Sequence, residues 1–194
     1  MAGLVRGEDG RDRCWWGAST PDYQDYHDTE WGRPVTTDQG LYERLTLEAF
    51  QSGLSWLTIL RKREGFRRAF AGFDIDAVAA FRPGDVERLL ADASIVRNRA
   101  KIEAAVVNAR ATAAMRDAGG SLAELVWSHR PSVSSPPPRS GDELAAVTAE
   151  SKALARELKR RGFTFVGPTT VYSTMQACGV VNDHLEGCWA RSQV

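Results

Sequence analysis

Four side chains of this 194-residue chain form a complete donor set for a soft metal ion: Cys14, His27, His184 and Cys188. Two thiolates and two imidazoles satisfy tetrahedral zinc. His184 and Cys188 are four residues apart, so on a helix or a tight turn they face the same way. The wide gaps to Cys14 and His27 match no zinc-finger spacing. A metal here would clip the N-terminal segment to the C-terminal one, and with every position filled by protein it would be structural, with no place for an activated water. The alternative is two unrelated buried cysteines and two surface histidines, and spacing alone leaves both open.

A second concentration of chemistry lies in the first third of the chain: Trp15, Trp16, Tyr23, Tyr26, Trp31, Tyr42 and Trp56. Tyr23, His27 and Trp31 are spaced by four and would share a helix face. Aromatic planes with polar tips suit a flat heterocycle better than a plain aliphatic core does, although core packing accounts for them equally well. Glu48 falls on the apolar stripe of Leu41 and Leu45. The pattern favours a carboxylate at the exposed edge of that helix. Buried among the aromatics it would instead need a donor, such as the amino group of a base.

A third group is cationic. Residues 85–110 read as helix, short turn, helix, with Arg97, Arg99 and Lys101 at the turn, and the amides opening the second helix would complete a phosphate site. Plain helical packing explains the same pattern. Residues 161–170 form a loop between two helices, in which Thr169 or Thr170 is expected to cap the helix that follows.

The elements that must position these groups read as helices nearly everywhere. Val86, Leu89, Leu90 and Ala93 form one stripe, and Ile102, Val106, Ala109 and Ala113 another. No useful length of strand-like alternation occurs, so the expected fold is all-α. Capping boxes at Ser121/Glu124 and Ser140/Glu143 mark two helix starts, the second opening a helix over about 141–161 that Gly162 closes. Residues 129–140 are rich in proline and form an extended surface loop. Residues 1–12 read as a flexible tail and 13–190 as a single domain.

Composition sets the outer limits. The longest unbroken apolar run is Ala77 to Phe81, far short of the ~20 residues of a membrane span, and Met1 to Gly10 carries Arg6, Glu8 and Asp9 rather than the apolar stretch of a signal peptide. Three cysteines do not make a secreted disulfide framework. A cytoplasmic protein without a membrane partner is expected. The 25 basic and 25 acidic residues cancel, yet residues 1–50 hold five Lys/Arg against ten Asp/Glu and residues 51–110 hold eleven against seven. A neutral total can hide a basic face.

Together these stretches resemble the bacterial 3-methyladenine DNA glycosylases of type I. The phrases that carry the resemblance are Arg13-Cys-Trp-Trp16, Tyr23-Gln-Asp-Tyr-His-Asp-Thr-Glu-Trp-Gly32, Leu47-Glu48 with Gly53-Leu-Ser-Trp56, Lys159-Arg-Arg-Gly-Phe-Thr-Phe-Val-Gly167, and Tyr172-Ser-Thr-Met-Gln-Ala-Cys-Gly-Val-Val-Asn-Asp-His184. They cover about residues 13–189. The resemblance implies a helix-hairpin-helix glycosylase fold whose two ends are tied by one structural zinc on Cys14, His27, His184 and Cys188. It places the base pocket on Glu48 and Tyr26 for hydrogen bonding and Trp56 for stacking, with Trp16, Tyr23 and Trp31 as walls. Gly53 and Leu54 would face the DNA, Leu54 as a wedge into the gap left by the extruded base, with Arg97, Arg99 and Lys101 on the backbone. The implied reaction is hydrolysis of 3-methyladenine from alkylated double-stranded DNA, and a monomer is the default expectation. Methylation at N3 gives the base a formal positive charge and weakens its glycosidic bond, so selection of the lesion matters more than acid catalysis. Two features depart from the relatives: Ser94 and Ala100 stand in the hairpin turn where glycine is frequent, and the loop at 131–138 is unusual. Two other readings compete, a non-catalytic zinc-stabilised helical binding module and a glycosylase with a broader range of alkylated purines.

Overall fold

A computed structural model describes residues 3–133 and 135–194. Helices dominate it: α1 (Pro21–Thr29), α2 (Asp38–Gln51), α3 (Trp56–Ala69), α4 (Ile75–Ala79), α5 (Pro83–Ala91), α6 (Arg99–Asp117), α7 (Leu122–Trp127), α8 (Ala149–Arg160) and α9 (Pro168–Ala177). Proline at the first turn of α1, α5 and α9 has no amide to waste and a φ already suited to a helix.

The centre is α2, which packs on α3, α6, α7 and α9, while α6 also lies along α4 and α8 along α9. Leu41, Tyr42, Leu47 and Phe50 of α2 are fully buried, as are Phe66 of α3, Phe70 just after it, and Ile102 and Ala109 of α6. Val86 and Leu89 of α5 join this core as their spacing predicts, while Ala93 at the end of that stripe is exposed. Burying each such large side chain contributes about 1.5–3 kcal/mol.

Three expectations need correction. Residues 4–12, expected as part of a flexible tail over 1–12, are not loose, while residues 1 and 2 lie outside the described residues: β1 (Leu4–Arg6) pairs antiparallel with β2 (Asp12–Cys14), Leu4 opposite Cys14 and Arg6 opposite Asp12. Strands of three residues are too short to show alternation, so the hairpin left no pattern to read. The helix expected over 141–161 starts only at Ala149. Thr148 and Ser151 form its capping box, because Glu143 is engaged by the backbone amide and guanidinium of Arg139 instead of by Ser140; Gly141–Glu143 makes only a short 3-10 turn. Neither Thr169 nor Thr170 caps α9, whose N-cap is Gly167 followed by Pro168. Other signals hold. Ser121 accepts from the Glu124 amide at the start of α7, and Gly162 follows α8 with φ +89°. The proline-rich loop is irregular, with Ser134 outside the described residues, and its far end is tied down where the Glu186 amide donates to Pro138 O. No described helix is long and apolar enough to cross a membrane.

Candidate active site and metal centre

Four helices and the two segments flanking α1 converge on a cavity of about 210 Å³. Tyr23 and Tyr26 come from α1, Glu48 and Gln51 from α2, Trp56 from the first turn of α3, and Ser173 and Gln176 from α9. Trp16 and Trp31 complete the lining from the segments flanking α1. Helix α1 ends at Thr29, so Trp31 does not continue its face; the chain turns back and its amide donates to Tyr26 O at 2.9 Å. The rings brace one another edge to face. Trp16 stands 5.7 Å from Tyr23 and 4.9 Å from Trp31, both near perpendicular, and Tyr26 is tilted 5.3 Å from Trp56. The Tyr23 hydroxyl accepts from the Leu57 amide, one of the free donors opening α3, and thereby fixes α1 against the helix that presents Trp56.

Glu48 is only 6% exposed, which overturns the exposed-edge expectation. One turn of α2 places it inward between Tyr26 and the aromatic wall. Burial pushes its carboxyl up to about 8, an effect that the Arg44 guanidinium one turn earlier partly offsets. No described residue donates a hydrogen bond to it. Burial beside that carboxyl also holds the Tyr26 hydroxyl protonated well above its ordinary range. The Trp56 indole N–H is buried and unpartnered among the described residues. A buried acceptor without a donor and a buried donor without an acceptor are costly unless a ligand answers them. Arg44 is held in place by Glu30, which it shares with Arg63.

Next to this cavity, Cys14 of β2, His27 of α1, and His184 and Cys188 of the C-terminal segment bring their ligand atoms within 4.8 Å of one another, all four buried. Cys188 Sγ lies 3.4 Å from His27 Nε2 and 3.7 Å from His184 Nδ1, and Cys14 Sγ lies 3.9 Å from His184 Nδ1. Tetrahedral zinc with its usual bond lengths has edges of roughly 3.3–3.8 Å, so the set can hold such an ion with little adjustment. Its outer contacts also fit. His27 Nδ1 meets Asp28 Oδ1 at 2.8 Å, and His184 Nε2 meets the Trp31 carbonyl at 3.3 Å, which leaves Nε2 and Nδ1 respectively for the metal. The thiols are already polarised. Hydrogen bonds from Cys14, His184 and His27 draw Cys188 far down, while the interaction with Cys188 and burial push Cys14 up. Asp28 is in turn gripped by Arg13, itself 1% exposed and paired also with Asp9. The N-terminal hairpin is therefore tied to the residues that could hold a metal ion.

The two sites share walls. The Trp16 ring stands 5.1 Å from His27, and Trp31 stands 4.6 Å from His184. The family model described as methyladenine glycosylase matches residues 15–192. The chain belongs to the methyladenine glycosylase family. DNA-3-methyladenine glycosylase 1 of Escherichia coli (strain K12) is 48% identical over 180 residues, which cover 91% of this chain and 95% of that protein. A crystal structure of 3-methyladenine DNA glycosylase I matches with a TM-score of 0.88 at 48% identity, over 91% of this chain and 98% of the other. A Tyr→Phe variant of 3-methyladenine DNA glycosylase I, solved in complex with 3-methyladenine, matches with a TM-score of 0.85 at 34% identity, over 90% of this chain and 95% of the other.

In this methyladenine glycosylase the expected DNA-facing groups divide. Gly53 follows α2 with φ +81°, a left-handed turn that glycine adopts without strain, and the turn leaves Leu54 42% exposed. Arg97 is exposed and makes no ion pair among the described residues. Arg99 is exposed too, although it pairs with Glu87 at 2.8 Å. Lys101 departs from the expectation. It is 8% exposed, and its ammonium donates to Phe50 O at 3.0 Å and Ser52 O at 2.5 Å. It neutralises the carbonyl end of α2 just before Gly53 and Leu54, so it braces that turn instead of facing solvent. Asn98 caps α6 by accepting from the Lys101 amide. Ser94 packs against α3: a Cβ on Gly65 would come within 2.5 Å of its carbonyl oxygen, and Lys62 donates to Ala93 O. Glycine at position 65 is what allows this close approach.

Several residues of the site were not singled out from sequence. Ser173 and Gln176 are three apart on α9 and line the cavity, a spacing that was visible but had no apolar pattern to flag it. Arg44 is one turn from Glu48 on the same helix. Asp28 and Arg13 each adjoin a metal ligand, which is where outer-shell groups belong.

Proposed function

We propose that this protein excises 3-methyladenine from alkylated double-stranded DNA, acting as a monofunctional glycosylase in base-excision repair. The observation that carries the reading is the buried Glu48 carboxyl, without a hydrogen-bond donor, inside a cavity walled by Trp16, Tyr26 and Trp56. Such a cavity asks for a flat, donor-bearing and preferably cationic ligand. The extruded base stacks on Trp56, and Glu48 accepts from its exocyclic amine with the Tyr26 hydroxyl beside it. Tyr23, Trp16 and Trp31 enclose the ring. A cationic base entering the pocket favours the ionised carboxylate, which offsets the burial that otherwise keeps Glu48 protonated.

The base leaves as the bond between its N9 and the sugar C1′ breaks. The electron pair goes to the ring and cancels its positive charge, and water adds to C1′ and releases a proton to solvent to give an abasic site. The pocket's task is to hold the base as charge develops on the sugar. Gly53 and Leu54 fill the gap in the duplex. The opening of α6, with Arg97 and Arg99, meets a phosphate in the manner of a helix-hairpin-helix, while Lys101 supports the Leu54 turn from behind. Cys14, His27, His184 and Cys188 hold one zinc ion, which supplies structural cross-linking and no reacting group.

The test is base release from methylated duplex DNA with the freed bases separated by chromatography. Release of 3-methyladenine with little 7-methylguanine is expected. Equal release of both would favour the broader alkylpurine activity, and no release by folded, zinc-loaded protein would overturn the reading.

A further inference from the structure

Glu48 is not the only acceptor at the cavity. Gln176 of α9 lines it as well. The Gln176 amide Nε2 donates to Asp183 Oδ2 at 2.7 Å, and the same oxygen receives the Tyr172 hydroxyl at 2.5 Å. A carboxylate offers only acceptors, so the amide cannot turn over without setting oxygen against oxygen. Its carbonyl Oε1 accepts nothing from any described residue. Asp183 does not line the base cavity; it belongs to the wall of a second cavity behind α9. It can reach a bound base only through Gln176.

We infer that Asp183 fixes the Gln176 amide so that its carbonyl oxygen serves as a second acceptor at the pocket, selecting purines that carry an amine at C6 over those that carry a carbonyl there. The inference rests on the base-pocket reading above. An exocyclic amine has two N–H groups, one for Glu48 and one for Gln176 Oε1. A 6-oxo purine would set its oxygen against Gln176 Oε1, which accepts whatever the protonation state of Glu48, and sites built to receive donors reject ligands that lack them. Asp183 is a positioning residue, since it touches no base.

The experiment measures binding of two free bases to the zinc-loaded protein by quenching of tryptophan fluorescence. The probes are 3-methyladenine and 3-methylhypoxanthine, which differ in the group at C6. The wild type is expected to prefer 3-methyladenine. Asp183→Asn places an amide donor opposite Gln176 and allows its side chain to turn over, so the preference should fall about tenfold, the factor carried by one hydrogen bond. Gln176→Met keeps the shape of a half-buried side chain without its polar atoms and should lower the preference too. It also decides the matter if the Asp183 variant does not fold. General damage to the pocket would weaken both bases together and leave their ratio unchanged, so an unchanged ratio in folded variants overturns the inference alone. A wild type that binds neither base overturns the pocket reading and this inference with it.

Discussion

At Glu48 a single carboxyl is held in a place that burial makes expensive when it is charged. Its value of about 8 in the folded protein compares with 4.5 for a free side chain. Below pH 4.5 the group is protonated in both states and costs nothing. As pH rises towards 8 the unfolded chain ionises first, so Glu48 increasingly destabilises the fold, at about 1.4 kcal/mol for each pH unit of displacement. Glu48→Gln should therefore match the wild type in thermal stability near pH 4 and exceed it by several kcal/mol at pH 8. A gap independent of pH would contradict the burial argument. Trp56 is the other direct contact in this account, and Trp56→Ala should weaken free 3-methyladenine by ~1–3 kcal/mol in a fluorescence or calorimetric titration. The residue types were legible: the four candidate metal ligands, both tyrosines and the three tryptophans of the cavity come together. Their burial was less so. Position on an apolar stripe is compatible with an edge or with the interior, and what decides for Glu48 is that α9 and Trp56 close over it, a long-range fact that no local pattern carries.

The turn around Leu54 is where the elements meet. Helix α2 ends there, α3 begins there, and Lys101 of α6 holds the carbonyls between them. Lys101→Met should cost about 1–3 kcal/mol of stability, because the buried Phe50 carbonyl and the part-buried Ser52 carbonyl lose a charged donor. In titrations of DNA affinity against salt it should leave the slope unaltered, whereas Arg97→Ala should reduce the slope by about one. The reverse pattern would put Lys101 on the phosphates and Arg97 in a bystander role. Helix starts were read correctly where the capping residue had no competitor, as at Ser121. They were misread at Ser140 because Arg139 takes Glu143 away, a contact between neighbours that a capping motif does not encode. Lys101 was misplaced for a related reason: a cation at a helix start looks the same in sequence whether it points to solvent or to the preceding helix.

For the whole molecule, the decisive feature is that its two ends meet. Cys14 and Cys188 are brought together across almost the entire chain, with the N-terminal hairpin locked on through Arg13, Asp9 and Asp28. Metal removal should therefore lower the melting temperature and raise hydrogen exchange in residues 3–14 before the α2–α6 core loosens. Asp28→Asn, which takes away half the grip on His27, should weaken zinc binding by roughly ten- to a hundredfold in a chelator competition. The union of the ends was readable from the ligand types and the family resemblance, while the hairpin that secures it was not, since three-residue strands make no pattern.

The central claim is that the Glu48 carboxyl recognises the base, and single-turnover excision of 3-methyladenine from duplex DNA by wild type and Glu48→Gln tests it most directly. With zinc content and DNA affinity unchanged, the account predicts a ten- to hundredfold slower excision, about the loss of one charged hydrogen bond. Excision by the variant at the full wild-type rate would contradict it.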